Sequence, residues 1–173
     1  MKRALVVVDM QNDFIDGSLA NPAAKKIVPN IIKLLEEWND MVFVTKDTHE
    51  ENYLKTQEGK RLPVVHCIKG TPGWEINEEI KQALSKKKFH KFEYHKPTFG
   101  SIELAEDLKR FEIDEVTFVG TVTSICVVNN AMLAKAFNPE MTVKVKADCC
   151  ADLNETSNGA ALLTMKMSQI EII

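Results

Sequence analysis

FVGTVTSICVV, residues 118–128, has the pattern of a buried strand that leads directly into a helix. An apolar run ends at Gly120, a short polar turn follows, and the helical spacing of apolar residues starts at Cys126. A strand followed by a helix is the repeating unit of α/β proteins. This stretch therefore predicts an α/β fold in which a cysteine lies at the beginning of a helix.

The same alternation extends in both directions from this stretch. Short apolar or alternating runs predict strands at residues 4–8, 41–45, 89–94, 116–119, 143–147 and 170–173. Apolar residues at helical spacing predict helices at residues 24–38, 75–84, 101–111, 126–137 and 155–167. Pro29 predicts either a kink in the first helix or a helix that begins there. Strands that alternate with helices predict a three-layer α/β/α fold, one domain over residues 1–173, around a mostly parallel sheet of about six strands.

The composition excludes several classes of partner. The 173 residues carry a formal net charge of −3, which gives no general attraction to nucleic acid or to anionic membranes. No run of about twenty apolar residues is present, and Asp9 ends the first apolar run too early for a signal peptide. Four cysteines do not make a disulfide framework in a chain of this length. We therefore expect a cytoplasmic protein with reduced thiols and with no nucleic-acid or membrane partner.

Cys126 is the residue with the clearest chemical implication. A thiol at the N-terminus of a helix meets the positive end of the helix dipole and several unpaired backbone N–H groups. Both favour the thiolate, which is the nucleophilic form of cysteine. The same N–H groups can stabilise the oxyanion that forms when a thiolate attacks a carbonyl carbon. The position of Cys126 therefore favours a cysteine hydrolase.

Two charged residues follow other predicted strands. Asp9 comes directly after the strand at 4–8, and Lys96 comes shortly after the strand at 89–94. Taken alone, Asp9 can cap a turn and Lys96 can be a solvated side chain. In a parallel sheet, however, reactive groups collect beyond the carboxyl ends of the strands. If both residues face Cys126 there, the lysine lowers the thiol pKa and pairs with the carboxylate, which can accept the thiol proton.

A third group of residues contains potential metal ligands. Asp47 and His49 are two residues apart on a segment expected to be extended, so their side chains point to the same side. His66 follows after a long loop, and Glu58 lies within that loop as a further candidate ligand. Two histidines and a carboxylate with open positions suit zinc or iron. The alternative is that both histidines make ordinary hydrogen bonds in the loop, and spacing alone leaves this open.

Five segments together resemble a known superfamily. They are VDMQNDF at 8–14, DTH at 47–49, HCIKGTPGW at 66–74, KPTF at 96–99 and GTVTSICV at 120–127. In this order and at these separations, they resemble the isochorismatase-like cysteine hydrolases, a superfamily that includes nicotinamidases, isochorismatases and N-carbamoylsarcosine amidase. The resemblance covers nearly the whole chain.

The resemblance implies roles for the residues around the cysteine. Asp9, Lys96 and Cys126 correspond to a catalytic triad. The N–H groups of Val122 and Cys126 correspond to an oxyanion hole. A cis peptide bond between Thr121 and Val122 is also implied, and in this superfamily it aims the first of these N–H groups at the oxyanion.

Substrate and metal positions are implied in the same way. Phe14 and Phe99 correspond to residues beside the substrate, with Phe14 packed against a flat ring. In nicotinamidases a divalent metal orients the pyridine nitrogen and does not activate the nucleophile. The corresponding site, with zinc as the usual ion and iron or manganese as alternatives, consists of Asp47, His49, His66 and, as a further candidate, Glu58. Related enzymes commonly form dimers or tetramers, so a homo-oligomer is implied as well.

The implied activity is hydrolysis of a small amide through a thioester, and nicotinamide, converted to nicotinate and ammonia, is the best single substrate. Three departures leave the substrate open. Pro63 stands where some nicotinamidases have a tryptophan, Ser124 stands where many members have an aspartate, and the segment 96–99 has the short form of isochorismatase-type members. The alternatives are hydrolysis of a carbamoyl or ureido compound, isochorismatase-type hydrolysis of a vinyl ether, and a non-enzymatic metal-binding or redox module.

Overall fold

The apolar runs of the sequence form the central sheet of the protein, whose computed structural model describes residues 1–173. The strands are β1 (Arg3–Val8), β2 (Met41–Asp47), β3 (Lys91–Lys96), β4 (Glu115–Thr121), β5 (Thr142–Ala151) and β6 (Glu171–Ile172). All of them are parallel, and their order in the sheet is β3-β2-β1-β4-β5-β6. The predicted fold class is therefore confirmed, including the parallel sheet of six strands.

The first strand is buried on both of its faces, which is why its sequence is continuously apolar. Ala4, Val6 and Val8 belong to one hydrophobic cluster, whereas Leu5 and Val7 belong to a second cluster on the other face. All five residues are fully buried. A strand in the middle of a parallel sheet needs helices on both sides to reach this burial.

Helices cover both faces of the sheet. Their bounds are α1 (Asn12–Ile15), α2 (Pro22–Glu37), α3 (Gln57–Arg61), α4 (Glu78–Lys86), α5 (Ile102–Arg110), α6 (Val128–Phe137) and α7 (Glu155–Met167). Helices α2 and α4 bury their apolar residues in the cluster of Leu5 and Val7, and α5, α6 and α7 bury theirs in the opposite cluster. None of these helices combines the length and the hydropathy that a membrane crossing requires.

Two helices begin earlier than the sequence predicts. Helix α2 starts at Pro22, where the Asn21 side chain accepts a hydrogen bond from the N–H of Ala23 at 3.0 Å. Asparagine before a proline is a strong start signal, and the helix continues through Pro29 because Ile27 and Ile31 are buried on the same side. Of the two alternatives predicted for Pro29, the one in which the helix begins there is therefore wrong.

The helix after β4 also begins earlier, because it opens with a π-helical turn at Thr123–Val127 that continues into α6. Cys126 is inside this turn and not at its first residue. The sequence does not show where this helix starts, because the residue before the turn is Val122, whose side chain cannot cap a helix. The apolar residues Ile125 and Cys126 give no start signal either.

Several strands are longer at their carboxyl ends than the hydrophobic pattern predicts. Strand β2 continues to Asp47 and β3 continues to Lys96, and these two residues are paired across the sheet. Strand β5 likewise continues through Cys149 to Ala151. The extensions carry polar residues, so apolar periodicity does not detect them, but they complete the ladder with a neighbouring strand.

The strand order creates a crevice at the carboxyl end of β1. The chain crosses from β1 to β2 on one side and later returns to β4 on the other side, so the crevice between the carboxyl ends of β1 and β4 is a topological switch point. Gly120 of β4 is paired with Val8 of β1 there and has φ of 123°. A Cβ at this glycine would lie 2.1 Å from the Val8 carbonyl oxygen, so only glycine fits.

Candidate active site

Asp9 lies immediately beyond β1, at the switch point, and is completely buried. Its backbone N–H donates to the Thr45 carbonyl at 3.1 Å, and the Thr45 hydroxyl donates to Asp9 Oδ1 at 2.6 Å. Its other carboxylate oxygen, Oδ2, lies 2.5 Å from Lys96 Nζ. Burial raises the pKa of Asp9 above its ordinary value, and the neighbouring Lys96 ammonium offsets this effect only in part.

Lys96 is the last residue of β3 and reaches across β2 to this carboxylate. Its side chain is almost completely buried, and Nζ also lies 3.3 Å from the carbonyl oxygen of Thr98. Burial alone lowers the pKa of a lysine, but the Asp9 carboxylate raises the pKa of Lys96 above its ordinary value. The pair is therefore a buried ion pair and not a solvated lysine beside a capping aspartate.

Cys126 lies beside this ion pair, at 5% exposure, within the turn that follows β4. Burial raises the pKa of its thiol well above the ordinary value, and the Asp9 carboxylate raises it further, whereas Lys96 acts in the opposite direction. The sequence predicts that Lys96 lowers the thiol pKa and that Asp9 can accept the thiol proton; Lys96 does act in this direction, but burial and Asp9 outweigh its effect on the pKa. The thiol is protonated at rest, so it needs a proton acceptor before it can act as a nucleophile.

The backbone that leads into Cys126 carries a free hydrogen-bond donor. The peptide bond between Thr121 and Val122 is cis. The Val122 carbonyl accepts from the N–H groups of Ile125 and Val127 at 3.0 Å and 3.1 Å, whereas the Val122 N–H has no acceptor within the protein. Because Val122 also lines the cavity next to Cys126, this N–H is available to an oxygen atom of a bound molecule.

The predicted metal ligands converge into one cluster near the triad residues. One ligand atom from each of Asp47, His49, Glu58 and His66 lies within 4.8 Å of the corresponding atoms of the other three. His49 Nε2 and His66 Nε2 lie 3.0 Å and 3.4 Å from Asp47 Oδ2. Burial raises the pKa of Asp47, but contacts with the two histidines reverse this effect and hold its pKa well below the ordinary value. The sequence left open the alternative that the two histidines only make hydrogen bonds within the loop. That alternative does not require four potential ligands to lie so close together.

The chemistry of this cluster fits a divalent cation. Two imidazoles and two carboxylates are a donor set that zinc or iron accepts. Asp47 Oδ1 is buried without a hydrogen-bond partner, 3.8 Å from Lys96 Nζ, so Oδ2 is the oxygen that faces the two histidines. His66 Nδ1 lies 2.7 Å from the Val64 carbonyl oxygen, which leaves Nε2 directed at the cluster. The Tyr53 ring packs against both imidazoles, with centroid distances of 4.6 Å and 4.9 Å.

The motif around residues 8–14 connects the two groups of residues. The Gln11 side chain donates to the carbonyl oxygens of Asp47 and Trp74, at 2.8 Å and 2.9 Å, and accepts from the Asp47 N–H at 2.7 Å. Asp13 Oδ2 accepts from the N–H of Cys67 at 2.7 Å, which holds the segment that carries His66. Cys67 is fully buried. Neither Thr45 nor Gln11 has a recognisable role in the sequence, since each acts through a partner more than thirty residues away.

A cavity of about 160 Å³ opens onto Cys126 and the metal-ligand cluster. Both predicted substrate-binding residues, Phe14 and Phe99, line it, and the Phe14 ring lies 5.7 Å from the His66 ring. Its walls are mainly apolar, and no lysine or arginine lines it. The remaining lining residues are Leu19, Asn21, Asp47, Glu58, Leu62, Thr121, Val122, Ile125 and Leu153. The arrangement can therefore hold a small, flat, neutral molecule against a thiol, with metal-binding side chains on the other side.

Comparison with known proteins agrees with this geometry. The family model of the isochorismatase domain matches residues 3–173. The nicotinamidase/pyrazinamidase of Mycobacterium tuberculosis is 29% identical over 184 residues, which cover 99% of this chain and 98% of that protein. The crystal structure of the pyrazinamidase/nicotinamidase from Streptococcus mutans superposes with a TM-score of 0.87 at 26% identity, over 99% of this chain and 100% of that one.

A further structure bears on the metal-ligand cluster. The pyrazinamidase of Pyrococcus horikoshii, which was crystallised in complex with zinc, superposes with a TM-score of 0.79 at 27% identity and covers 100% of this chain and 99% of that one. The family model and these likenesses extend over almost the whole length and agree with the motifs of the sequence. The chain belongs to the isochorismatase family and is related to its nicotinamidase members.

Proposed function

We propose that this chain is a cysteine-dependent amidohydrolase that cleaves a small neutral amide, with nicotinamide, converted to nicotinate and ammonia, as the best candidate. One observation carries this proposal: the buried ion pair of Asp9 and Lys96 lies beside the thiol of Cys126, at the end of a cavity of suitable size. The nicotinamidases among its relatives support the same activity.

In the first step, Asp9 accepts the proton of Cys126 as the sulfur attacks the carbonyl carbon of the amide. The carbon–sulfur bond forms while the carbonyl π electrons move to the oxygen, which becomes an oxyanion. The free N–H of Val122, together with the N–H of Cys126, stabilises this charge. The Lys96 ammonium lowers the pKa of Asp9 against the opposing effect of burial, and so favours the carboxylate form that accepts the proton.

In the second step, the oxyanion collapses and the carbon–nitrogen bond breaks. Asp9 returns the proton to the departing nitrogen, so that ammonia leaves and a thioester remains on Cys126. A water molecule then attacks the thioester carbon and gives its proton to Asp9. When the carbon–sulfur bond breaks, the sulfur recovers a proton from Asp9, and the carboxylic acid product is released.

The metal-ligand cluster contributes to substrate binding in this proposal. Asp47, His49, His66 and Glu58 would hold a divalent ion, for which zinc is the best candidate and iron or manganese are alternatives. When bound, the ion supplies a Lewis-acidic position that a ring nitrogen can occupy. Phe14, which borders the cluster, would then pack against the ring and hold its carboxamide toward Cys126.

The cavity favours a neutral aromatic amide over the anionic members of the alternative substrate classes. A carbamoyl or ureido acid, or isochorismate, carries at least one carboxylate. No lysine or arginine lines the cavity, so such an anion would lack a cationic side chain as partner. The two phenylalanines instead offer apolar surface on which a flat ring can pack.

Ammonia release across a panel of amides tests this proposal. We expect purified, zinc-loaded protein to hydrolyse nicotinamide and pyrazinamide, and to hydrolyse benzamide, which lacks the ring nitrogen, at least about tenfold less efficiently. N-carbamoyl and ureido acids should release no ammonia above the background of the Cys126→Ala variant. Preferential hydrolysis of the anionic compounds would show that the proposed substrate class is wrong.

A further inference from the structure

Asp152 is a buried carboxylate that the mechanism above does not use. It directly follows β5, at 6% exposure, on the same edge of the sheet as Asp9. Its Oδ2 accepts a hydrogen bond of 2.6 Å from the backbone N–H of Ser124. Ser124 lies two residues before Cys126, within the turn Thr123–Val127 that carries the nucleophile.

The two oxygens of Asp152 serve different parts of the fold. Oδ1 accepts from the Leu153 N–H at 2.7 Å and from the Ser157 hydroxyl at 2.5 Å, both at the beginning of α7. Oδ2 serves the nucleophile turn alone. The backbone of Asp152 is fixed as well, because Asn21 Nδ2 donates to its carbonyl oxygen at 3.0 Å. Burial raises the pKa of Asp152, but the hydrogen bonds from Ser157 and Ser124 outweigh this effect and lower it, so the carboxylate is charged at neutral pH.

The nucleophile turn needs such an acceptor from outside. Val122, which precedes the turn, has no side chain that can accept a hydrogen bond, and its carbonyl already accepts from Ile125 and Val127. The N–H of Ser124 is therefore fixed only by Asp152. This contact restrains the turn at a point between the N–H of Val122 and the N–H of Cys126, which are the two donors proposed for the oxyanion.

We propose that Asp152 is a positioning residue that holds the Thr123–Val127 turn, so that the N–H groups of Val122 and Cys126 point at the oxyanion. This inference rests on the proposed amidohydrolase function. Asp152 does not touch the substrate and does not take part in proton transfer. Its loss therefore affects stabilisation of the tetrahedral state and leaves substrate binding and the reactivity of the thiol largely unchanged.

The Asp152→Asn variant tests this role, because an asparagine side chain has one acceptor oxygen where the aspartate uses two. We expect kcat for nicotinamide to fall roughly tenfold to a hundredfold, which is no more than the decrease expected from the loss of one oxyanion donor. KM should stay within about threefold of the wild-type value. The rate at which iodoacetamide alkylates Cys126 should stay within about twofold, since alkylation forms no oxyanion.

Two variants at the beginning of α7 serve as matched controls. Asn154→Ala removes the side chain that accepts from the Ser157 N–H at 2.9 Å, and Ser157→Ala removes one contact of Asp152 Oδ1 but keeps Oδ2 on Ser124. Both should keep kcat within about threefold of the wild type. If Asn154→Ala lowers kcat as much as Asp152→Asn does, the effect of Asp152 is only on the start of α7 and the inference is wrong. If Asp152→Asn does not fold, Asp152→Ser takes its place with the same expected results.

A second measurement separates this inference from the proposed function. Pyridine-3-carbaldehyde adds the Cys126 sulfur to its carbonyl carbon, and the thiol proton passes to the oxygen, so a tetrahedral adduct forms without hydrolysis. The aldehyde concentration that half-protects Cys126 from iodoacetamide should rise about tenfold or more in Asp152→Asn and remain unchanged in Asn154→Ala. Wild-type protein that binds the aldehyde but cleaves no amide would contradict the proposed function and leave this readout intact. Equal protection of wild type and Asp152→Asn would overturn the positioning role.

Discussion

The triad residues and the metal-ligand cluster are neighbours, but they are built in different ways. Lys96 lies at the end of β3, Asp9 directly follows β1, and Cys126 lies in the Thr123–Val127 turn after β4; all three are buried. Of the four cluster residues only Asp47 belongs to a strand, and the others lie in the long connection between β2 and α4. The first group is fixed by the sheet, whereas the second depends on contacts that a loop makes with itself and with residues 11–13.

Because of this difference, we expect metal binding and the reactivity of Cys126 to vary independently. The arrangement of the proposed nucleophile and its proposed proton acceptor forms together with the core, since it depends on the register of the parallel strands and on the contact between Asp152 and the Thr123–Val127 turn. The metal-ligand cluster can open locally while the sheet remains folded, because residues 48–74 form no strand of the sheet and belong to neither of its two hydrophobic clusters. The Glu58 side chain, at 20% exposure, is the most open of the four ligands. The following predictions test this separation, beginning with the largest expected effect.

Replacement of Cys126 by alanine should abolish activity without unfolding the protein. We expect amide turnover to fall more than about a thousandfold, because no other group can form the thioester. The variant should keep its metal content and its cooperative thermal unfolding. Cys150→Ala is the matched control, since Cys150 is buried in the same hydrophobic cluster, and it should remain active. Turnover by Cys126→Ala near the wild-type rate would show that the chemistry lies elsewhere.

Replacement of His66 by alanine should remove the metal and leave the triad residues reactive. We expect zinc affinity to fall more than about a hundredfold, because removal of a metal ligand should cost at least as much affinity as removal of a residue that only hydrogen-bonds to a ligand. Alkylation of Cys126 should stay within about threefold of the wild-type rate. Metal content can be measured by elemental analysis of the purified protein. His95→Ala, which removes a histidine paired with Glu93 outside the cluster, should bind metal normally. Full zinc occupancy in His66→Ala would contradict the assignment of this ligand.

Replacement of Thr45 by valine should shift the pH dependence of activity. Turnover requires ionised Asp9, so kcat/KM falls as the pH drops through the pKa of Asp9, which burial already raises. The Thr45 hydroxyl stabilises the carboxylate, and its loss raises this pKa further. The acid limb should therefore move to higher pH by about one unit. Thr117→Val, the same change in another buried strand residue, should leave the acid limb in place. An acid limb that moves to lower pH, or not at all, would argue against Asp9 as the proton acceptor.

Removal of two helix caps, one in the loop and one in the core, should give the smallest effects. Thr56 caps α3, which carries Glu58, and Ser101 caps α5, which packs on the sheet. Thr56→Ala should lower zinc affinity about fivefold, equivalent to about 1 kcal/mol, without changing the global free energy of unfolding. Ser101→Ala should lower the free energy of unfolding by about 1 kcal/mol and leave zinc affinity unchanged. Denaturant unfolding and zinc titration distinguish these outcomes. If the two variants behave alike, the loop and the core are one cooperative unit.

The sequence predicts the fold well because the parallel sheet follows from a local pattern. Continuous apolar runs such as residues 4–8, separated by amphipathic helices, are sufficient to predict the layers. The ends of elements are less predictable. Lys96 belongs to β3 because it is paired with Asp47 of β2, and no local pattern reveals a partner 49 positions away in the chain. The helical turns at 53–61 likewise depend on contacts around Tyr53 and not on periodicity.

The main residues of the candidate site can be selected from the sequence. Asp9, Lys96, Cys126 and the candidate metal ligands stand out by their positions next to predicted strands and helices, and the resemblance assigns their roles. Their supporting contacts cannot be selected in this way, because Thr45 and Asp152 act through groups that the fold brings near. For Asp152 the rule that singles out Asp9, a carboxylate directly after a predicted strand, would select Asp148 instead, and only the structure shows that Asp152 directly follows β5. The state of the thiol was not predictable either, since it depends on how deeply Cys126 is buried.

Gly120 has a consequence for the separation between the proton acceptor and the sulfur. It is paired with Val8, whose next neighbour is Asp9, and it lies six positions before Cys126. Any larger residue at this position would push β1 and β4 apart, because its Cβ atom would overlap the Val8 carbonyl oxygen. The distance over which the proposed proton exchange between Asp9 and Cys126 takes place therefore depends on the absence of a side chain at Gly120.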